Sequence, residues 1–235
     1  MRNLLLAVCG LLLLSALAAQ TSTVAGLFPT VDLSGKMATR WDYTTYYFGA
    51  FPPVNLSQHA GSEVADALLV YAEQGLAFTW KAPLTLGASY VFQLENLGQE
   101  NRLREHRLHF EATARHAVGK ARMKHRVRFD NRFIHSYSTG STDYKHRIRY
   151  LLGGEIPLGN DSYVAAYEEA FFTTHTTSLS RFSENWAAAA FGTRFPGNMG
   201  AEVGPLYIAW RTGPDAWLHQ LYLQLTWKLY LDSKI

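Results

Sequence analysis

The chain has 235 residues, enough for one domain or two small ones, and its 22 Lys and Arg nearly cancel 19 Asp and Glu, leaving a formal charge of +3. Hydrophobic residues make up 48% and aromatics 14%, which excludes a disordered chain, and the near-neutral balance excludes the basic footprint of a nucleic-acid binder. The single cysteine, Cys9, lies in a segment expected to be removed, so disulfide scaffolds, zinc–thiolate sites and cysteine nucleophiles drop out.

Residues 1–19 read as a signal peptide. Arg2 gives a positive start and Ala16-Leu17-Ala18-Ala19 the small residues of a cleavage site. Between them, Leu4–Leu17 is an apolar run of about 14 residues, too short to cross ~30 Å of hydrocarbon as a helix. Residues 20–235 then read as one domain, exported to the cell outer membrane of a Gram-negative bacterium.

That domain alternates with period two. From Leu84 the even positions are Leu84, Leu86, Ala88, Tyr90, Phe92 and Leu94, separated by Thr85, Gly87, Ser89, Val91 and Gln93. Leu221, Leu223, Leu225, Trp227, Leu229 and Leu231 repeat the pattern, and a helix would scatter these side chains around its axis. Ten such segments are expected, at about 36–51, 66–80, 84–96, 102–117, 120–136, 143–156, 162–173, 184–195, 199–212 and 217–231. Tight turns (Lys81-Ala82-Pro83, Val118-Gly119, Pro157 to Asp161, Pro196-Gly197-Asn198) alternate with mostly longer polar loops such as Pro52 to Ala65 and Thr174 to Ser183. This rhythm, with segments of about 12–17 residues where globular strands average ~5–6, predicts an all-β, antiparallel up-and-down transmembrane β-barrel of about ten strands. A soluble lipocalin-like barrel would share the alternation. Trp41, Tyr43, Trp80, Tyr90, Phe92 and Trp227, near segment ends, favour the aromatic girdles of a membrane barrel.

Sidedness follows from the charges. In three consecutive segments the polar face carries ten cations (Arg107, Arg115, Arg122, Lys124, Arg126, Arg128, Arg132, Lys145, Arg147, Arg149) and four acids (Glu105, Glu111, Asp130, Glu155). Turned inward, they give a charged lumen. If Val118-Gly119 is a two-residue hairpin loop, the facing pairs are Glu111–Arg126, His109–Arg128, Arg107–Asp130 and Glu105–Arg132, three of them opposite in charge. Arg147 and Arg149 reach Asp130 from the next segment, and Glu168 or Glu169 joins from the one beyond; parity leaves open which. Two roles are weighed: a structural brace filling a narrow barrel, and a narrow, weakly anion-preferring passage for small anionic solutes.

The run Glu105-His106-Arg107, the block Arg126-Val127-Arg128-Phe129-Asp130-Asn131-Arg132-Phe133, Arg147-Ile148-Arg149-Tyr150 ahead of Pro157-Leu158, and Glu168-Glu169-Ala170-Phe171 resemble a family of exported bacterial proteins. That family is known only as a domain of unknown function and is assigned to outer-membrane β-barrels of the porin superfamily. The resemblance covers about residues 36–231, implies barrel and location, and brings no activity. It departs where such proteins show an Asn-Arg pair opening a later strand, since Trp186 follows Asn185 here.

No phosphate-binding loop, G-x-G-x-x-G after a strand, H-E-x-x-H or G-x-S-x-G is found, and the nine histidines are dispersed, so no cofactor or metal site is expected. One enzymatic alternative remains, at the outer rim, acting on lipids or peptides: His135 as general base for Ser136 or Ser138, oriented by Asp143. The expected role is non-catalytic. The expected partners are outer-membrane lipids and the outer-membrane barrel assembly machinery, which would recognise the apolar last strand.

Overall fold

The computed structural model describes residues 23–55, 68–159, 161–175, 178–211 and 216–232; the expected signal peptide lies outside them. The described chain runs through eleven strands. They are β1 (Thr23–Ala38), β2 (Trp41–Asn55), β3 (Leu68–Lys81), β4 (Leu84–Leu97), β5 (Leu103–Val118) and β6 (Ala121–Ser136). Then come β7 (Thr142–Gly159), β8 (Ser162–His175), β9 (Ser178–Phe195), β10 (Met199–Arg211) and β11 (Trp217–Asp232). Each pairs with its neighbours in chain order, and β1 returns to β11 to close a barrel.

The ten expected segments correspond to β2–β11, and β1 is additional. The segment expected at 36–51 straddles the end of β1, a turn at Thr39-Arg40 and most of β2. β1 alternates weakly because Pro29 and Gly35 interrupt its outward row of Leu27, Val31, Leu33 and Met37. An odd count forces the first and last strands to run the same way. The seam is therefore parallel, with Leu27 beside Leu223 and Val31 beside Trp227, while the other ten pairings are antiparallel. The start of β1 and the end of β11 consequently lie at opposite rims, with the end of β11 on the rim of the tight turns. The loop expected from Thr174 to Ser183 shrinks as well, because β8 continues to His175 and β9 begins at Ser178.

Successive side chains of a strand face opposite sides, and here the two sides have different chemistry. Leu223, Leu225 and Trp227 point outward and are 46%, 43% and 48% exposed. Exposed large apolar residues continue round the wall, among them Val70, Leu86, Phe110, Phe129, Ile148, Phe191 and Val203. The inward rows close over the axis. Phe28, Phe48, Tyr71, Val91, Leu206, Ile208 and Tyr222 form one buried cluster, supplied by β1–β4, β10 and β11. Phe28 stacks on Phe48 at 4.6 Å and meets Trp186 and Tyr222 edge-on; Phe48 stacks on Tyr71 at 4.3 Å. The rest of the interior is polar and charged.

Candidate functional site

The charged interior is built by β5, β6, β7 and β8, where alternation places Glu105, Arg107, His109 and Glu111 on one inward row and Arg126, Arg128, Asp130 and Arg132 on the next. Arg147 and Arg149 continue it on β7 and Glu169 on β8. Glu105, Arg107, His109, Arg128, Asp130, Arg147, Arg149 and Glu169 are all buried. Of the two glutamates left open by the sequence, Glu169 is the inward one; Glu168 is exposed on the outer face, where Asn185 Nδ2 donates to it at 3.1 Å.

The register across the β5–β6 hairpin corrects the expected one by two residues. Val118 pairs with Ala121, so the loop is Gly119-Lys120 rather than Val118-Gly119. Glu111 then faces Arg128, His109 faces Asp130, Arg107 faces Arg132 and Glu105 faces Ile134. Two physical reasons account for the shift. Gly119 has φ 59°, and a two-residue turn whose first position has positive φ wants glycine there, a place the expected register gave to Val118. Arginine is also long enough for its partners not to be directly opposite. Arg132 reaches diagonally to Glu105, with Nε and Nη2 donating at 2.8 and 2.6 Å, and Arg107 Nε donates to the same carboxylate along its own strand at 2.7 Å. A like-charged facing pair, Arg107–Arg132, is thus held by one acid.

The lattice extends in both directions. Arg147 is directly opposite Asp130, with its Nε and Nη2 at 3.0 and 2.9 Å from Oδ2, and its Nη1 donates to Glu184 at 3.1 Å. Arg149 donates to both oxygens of Glu169 at 3.0 and 2.8 Å, and Arg126 Nη2 donates to the same group at 2.9 Å. Arg128 takes Glu111 at 2.7 Å and, across the lumen, Glu73 of β3 at 3.3 Å. His109 Nε2 lies 3.4 Å from Glu73, to which Tyr71 donates at 2.5 Å.

Glu73 and Glu184 lie outside the three segments from which the charged face was read, and they change its balance. Arg107, Arg126, Arg128, Arg132, Arg147 and Arg149 are matched by Glu73, Glu105, Glu111, Asp130, Glu169 and Glu184, six against six, each within 4.0 Å of an opposite charge. Within the lattice, Glu73, Glu169 and Glu184 on neighbouring strands offset the arginines that β5–β7 alone leave in excess. Glu73 and Glu184 are each legible only as an isolated inward-parity glutamate.

The charged and aromatic parts meet at two rings. Arg147 and Arg149 lie over Phe171 at 4.8 and 4.5 Å, and Phe171 packs on Trp186 at 5.7 Å. Tyr71 joins the other side, stacking on Phe48 while Arg107 lies 5.8 Å from its ring. Trp186, where the resembled family shows arginine, faces inward; its Nε1 donates to Glu184 at 2.5 Å.

On the outer wall two histidines are hydrogen-bonded by tyrosines of neighbouring strands. Tyr90 and His106 are hydrogen-bonded at 2.5 Å, His125 and Tyr150 at 2.8 Å, while His146 packs against Phe129 and Tyr144. At the rim, His135 Nδ1 is hydrogen-bonded to Thr142 at 3.0 Å. Ser136 and Ser138 bond to each other at 3.0 Å, and Asp143 lies 3.3 Å from Lys145. Among the described residues no hydrogen bond joins His135 to either serine or to Asp143. Among the described residues no group of three or more His, Cys, Asp or Glu stands as a metal site.

No curated protein matches the chain. A family model described as a protein of unknown function, DUF2490, matches residues 29–230, from the middle of β1 nearly to the end of β11. With its barrel closed and its interior laid out, the chain belongs to that DUF2490 family of unknown function.

Proposed function

We propose that the protein is an outer-membrane β-barrel of Gram-negative bacteria with a non-catalytic, structural role, its interior closed at mid-depth by the charge lattice and the aromatic cluster. The observation that carries this reading is the outer wall. Large apolar side chains stand exposed on ten of the eleven strands, whereas a soluble monomer rarely exposes a contiguous apolar patch beyond a few hundred Å². A bilayer satisfies such a belt, because the closed ladder leaves no unpaired strand edge in hydrocarbon. Strands of 13–18 residues exceed the ~9–11 that a tilted crossing needs.

Against a passage for anions stand the filling of the lumen and the neutrality of the lattice that closes it. An anion-selective pore needs a surplus of wall cations around open water. Six arginines here are each engaged by carboxylates, and Arg128 spans from β6 to Glu73 on β3. A barrel this narrow fills its interior with side chains. In this reading lipids contact the apolar belt, the tight-turn rim faces the periplasm, and the apolar row of β11 is presented to the barrel assembly machinery.

Planar-bilayer recording of the purified full chain tests the role: silence is expected, and defined, anion-biased steps would replace the brace with a pore. Fractionation and heat-modifiable migration of the native protein test the location, with recovery in the soluble fraction as the opposing result.

A further inference from the structure

Between the lattice and the tight-turn rim the inner wall carries a second set of charges, and nearly all of them are paired. Arg122 and Arg194 share Glu155, with Arg194 Nη2 donating at 2.8 Å; Lys228 reaches Glu202 at 2.5 Å, and Lys36 lies 3.6 Å from Asp42. Arg115 and Lys124 differ. They are directly opposite one another on β5 and β6, both on the inward row. Side chains so placed have Cβ atoms about 4.5–5.5 Å apart, and like charges there are destabilising. Among the described residues neither makes an ion pair, and neither flank supplies one: Lys124 faces Gly153 on β7, and the backbone N–H of Arg115 meets the Pro83 carbonyl.

Glu111 is held by Arg126 and Arg128 and Glu155 by Arg122 and Arg194, while Asp32, beside Lys228 in register on the far wall, lies beyond ion-pair distance of Lys124. Arg126, two residues from Lys124 on the same face, adds a buried Nε–H with no acceptor among the described residues. Two facing cations and a third donor thus occupy neighbouring inward positions of β5 and β6 on one side of the turn-side mouth. A planar fork, a compact ammonium and one further N–H suit a tetrahedral oxyanion, whose several oxygens accept from all three.

We propose that the turn-side mouth of the lumen is a phosphate-binding site, with Arg115 and Lys124 gripping the anion and the Nε–H of Arg126 as third donor. The group is either free phosphate or the phosphate of a lipid or saccharide headgroup; the donors are the same for each. The site depends on the inward direction of these side chains and not on the membrane, so it survives failure of the location proposed above. It also differs from a conducting path, because it lies on one side of the closed lattice.

The full chain, folded in a zwitterionic detergent, is unfolded thermally at rising inorganic phosphate with ionic strength held constant by chloride. A hundredfold excess of ligand over its dissociation constant should raise the midpoint by about 5–10 °C, saturably. The double variant R115Q/K124Q should show no such rise, whereas R122Q, which removes an already paired cation from the same wall, should keep it. Without phosphate, R115Q alone should raise the midpoint by relieving the facing repulsion. A short-chain phosphatidic acid is the second ligand: protection by both ligands marks the site as open to free phosphate, and protection by the lipid alone marks a headgroup site. A flat midpoint with both ligands, or an equal rise in R115Q/K124Q, would overturn the proposal.

Discussion

The interior of the barrel is filled by two arcs of opposite chemistry. From β5 to β8 it is arginine against carboxylate, each contact directional and each position fixed by the reach of a guanidinium fork. From β9 through the seam to β3 it is ring on ring, with Phe28, Phe48, Tyr71, Trp186 and Tyr222 held by shape. The comparison separates two ways of closing a lumen. Aromatic packing tolerates small shifts, since dispersion falls off smoothly and is shared over many contacts. A buried ion lattice tolerates none, because a displaced partner leaves an uncompensated charge. The charged arc therefore fixes the register of β5–β8 more sharply than it adds stability.

The largest expected effects test the two arcs side by side. Asp130 is fully buried and accepts from Arg147, with Arg107 and Arg149 within 4.0 and 3.8 Å. D130N should cost about 3–5 kcal/mol in denaturant unfolding of the folded barrel, because it strips the shared acid from three buried cations. F28A should cost a comparable amount, about 3–5 kcal/mol, through a cavity against Phe48 and Trp186. The arcs should diverge on rescue. Adding R147M to D130N should restore part of the loss by removing the cation that Asp130 holds most closely, although Glu184 then loses its arginine, while the cavity left by F28A has no such repair. No recovery on adding R147M would erase the distinction.

A smaller effect is expected at the joint. Tyr71 stacks on Phe48 and donates to Glu73, the acid that Arg128 reaches across the lumen. Y71F keeps the ring and deletes a hydrogen bond to a charged group, which should cost about 1.5–3 kcal/mol. The same substitution at Tyr222, whose ring packs on Phe28 within the aromatic arc, should cost less. Comparing the two unfolding midpoints measures how far the charged arc depends on its aromatic neighbour.

The same contrast explains what could be read from the sequence. Strands β5–β7 alternate between arginines and apolar residues so strongly that sidedness and boundaries are visible at once. On β1 the inner row changes from Phe28 to Thr30, Asp32, Ser34 and Lys36, while Pro29 and Gly35 break the apolar outer row, so the start of β1 is not legible as a strand. The charged site was legible as a set of residues but not as a set of pairs. Choosing the register by facing charges treats arginine as short, whereas Arg132 binds diagonally and Arg128 across the barrel. Glu73 and Glu184 carry no local motif; only closure of the sheet brings them to the arginines.

The smallest expected effect turns on two adjacent residues and on the outer wall. Glu168 and Glu169 sit midway along β8 with opposite directions: Glu169 holds Arg149 and Arg126, and Glu168 stands outside beside Asn185. β8 is also the strand whose outer face, with Ala166, Glu168 and Ala170, carries no exposed large apolar side chain among the described residues. E169L should destabilise strongly, in the range of D130N, by orphaning two guanidinium groups. E168L should do the reverse. In a bilayer an outward carboxylate near mid-depth is unfavourable, although less so than the ~2–4 kcal/mol of an arginine there, so its replacement by leucine should stabilise by about 1 kcal/mol. On a wall facing water the same change stays within about 0.5 kcal/mol, as ordinary surface substitutions do. Unfolding of E168L in lipid vesicles therefore reads the environment of the outer wall directly: a gain that appears in vesicles places hydrocarbon beside β8, and no gain there would put that face against water or another protein.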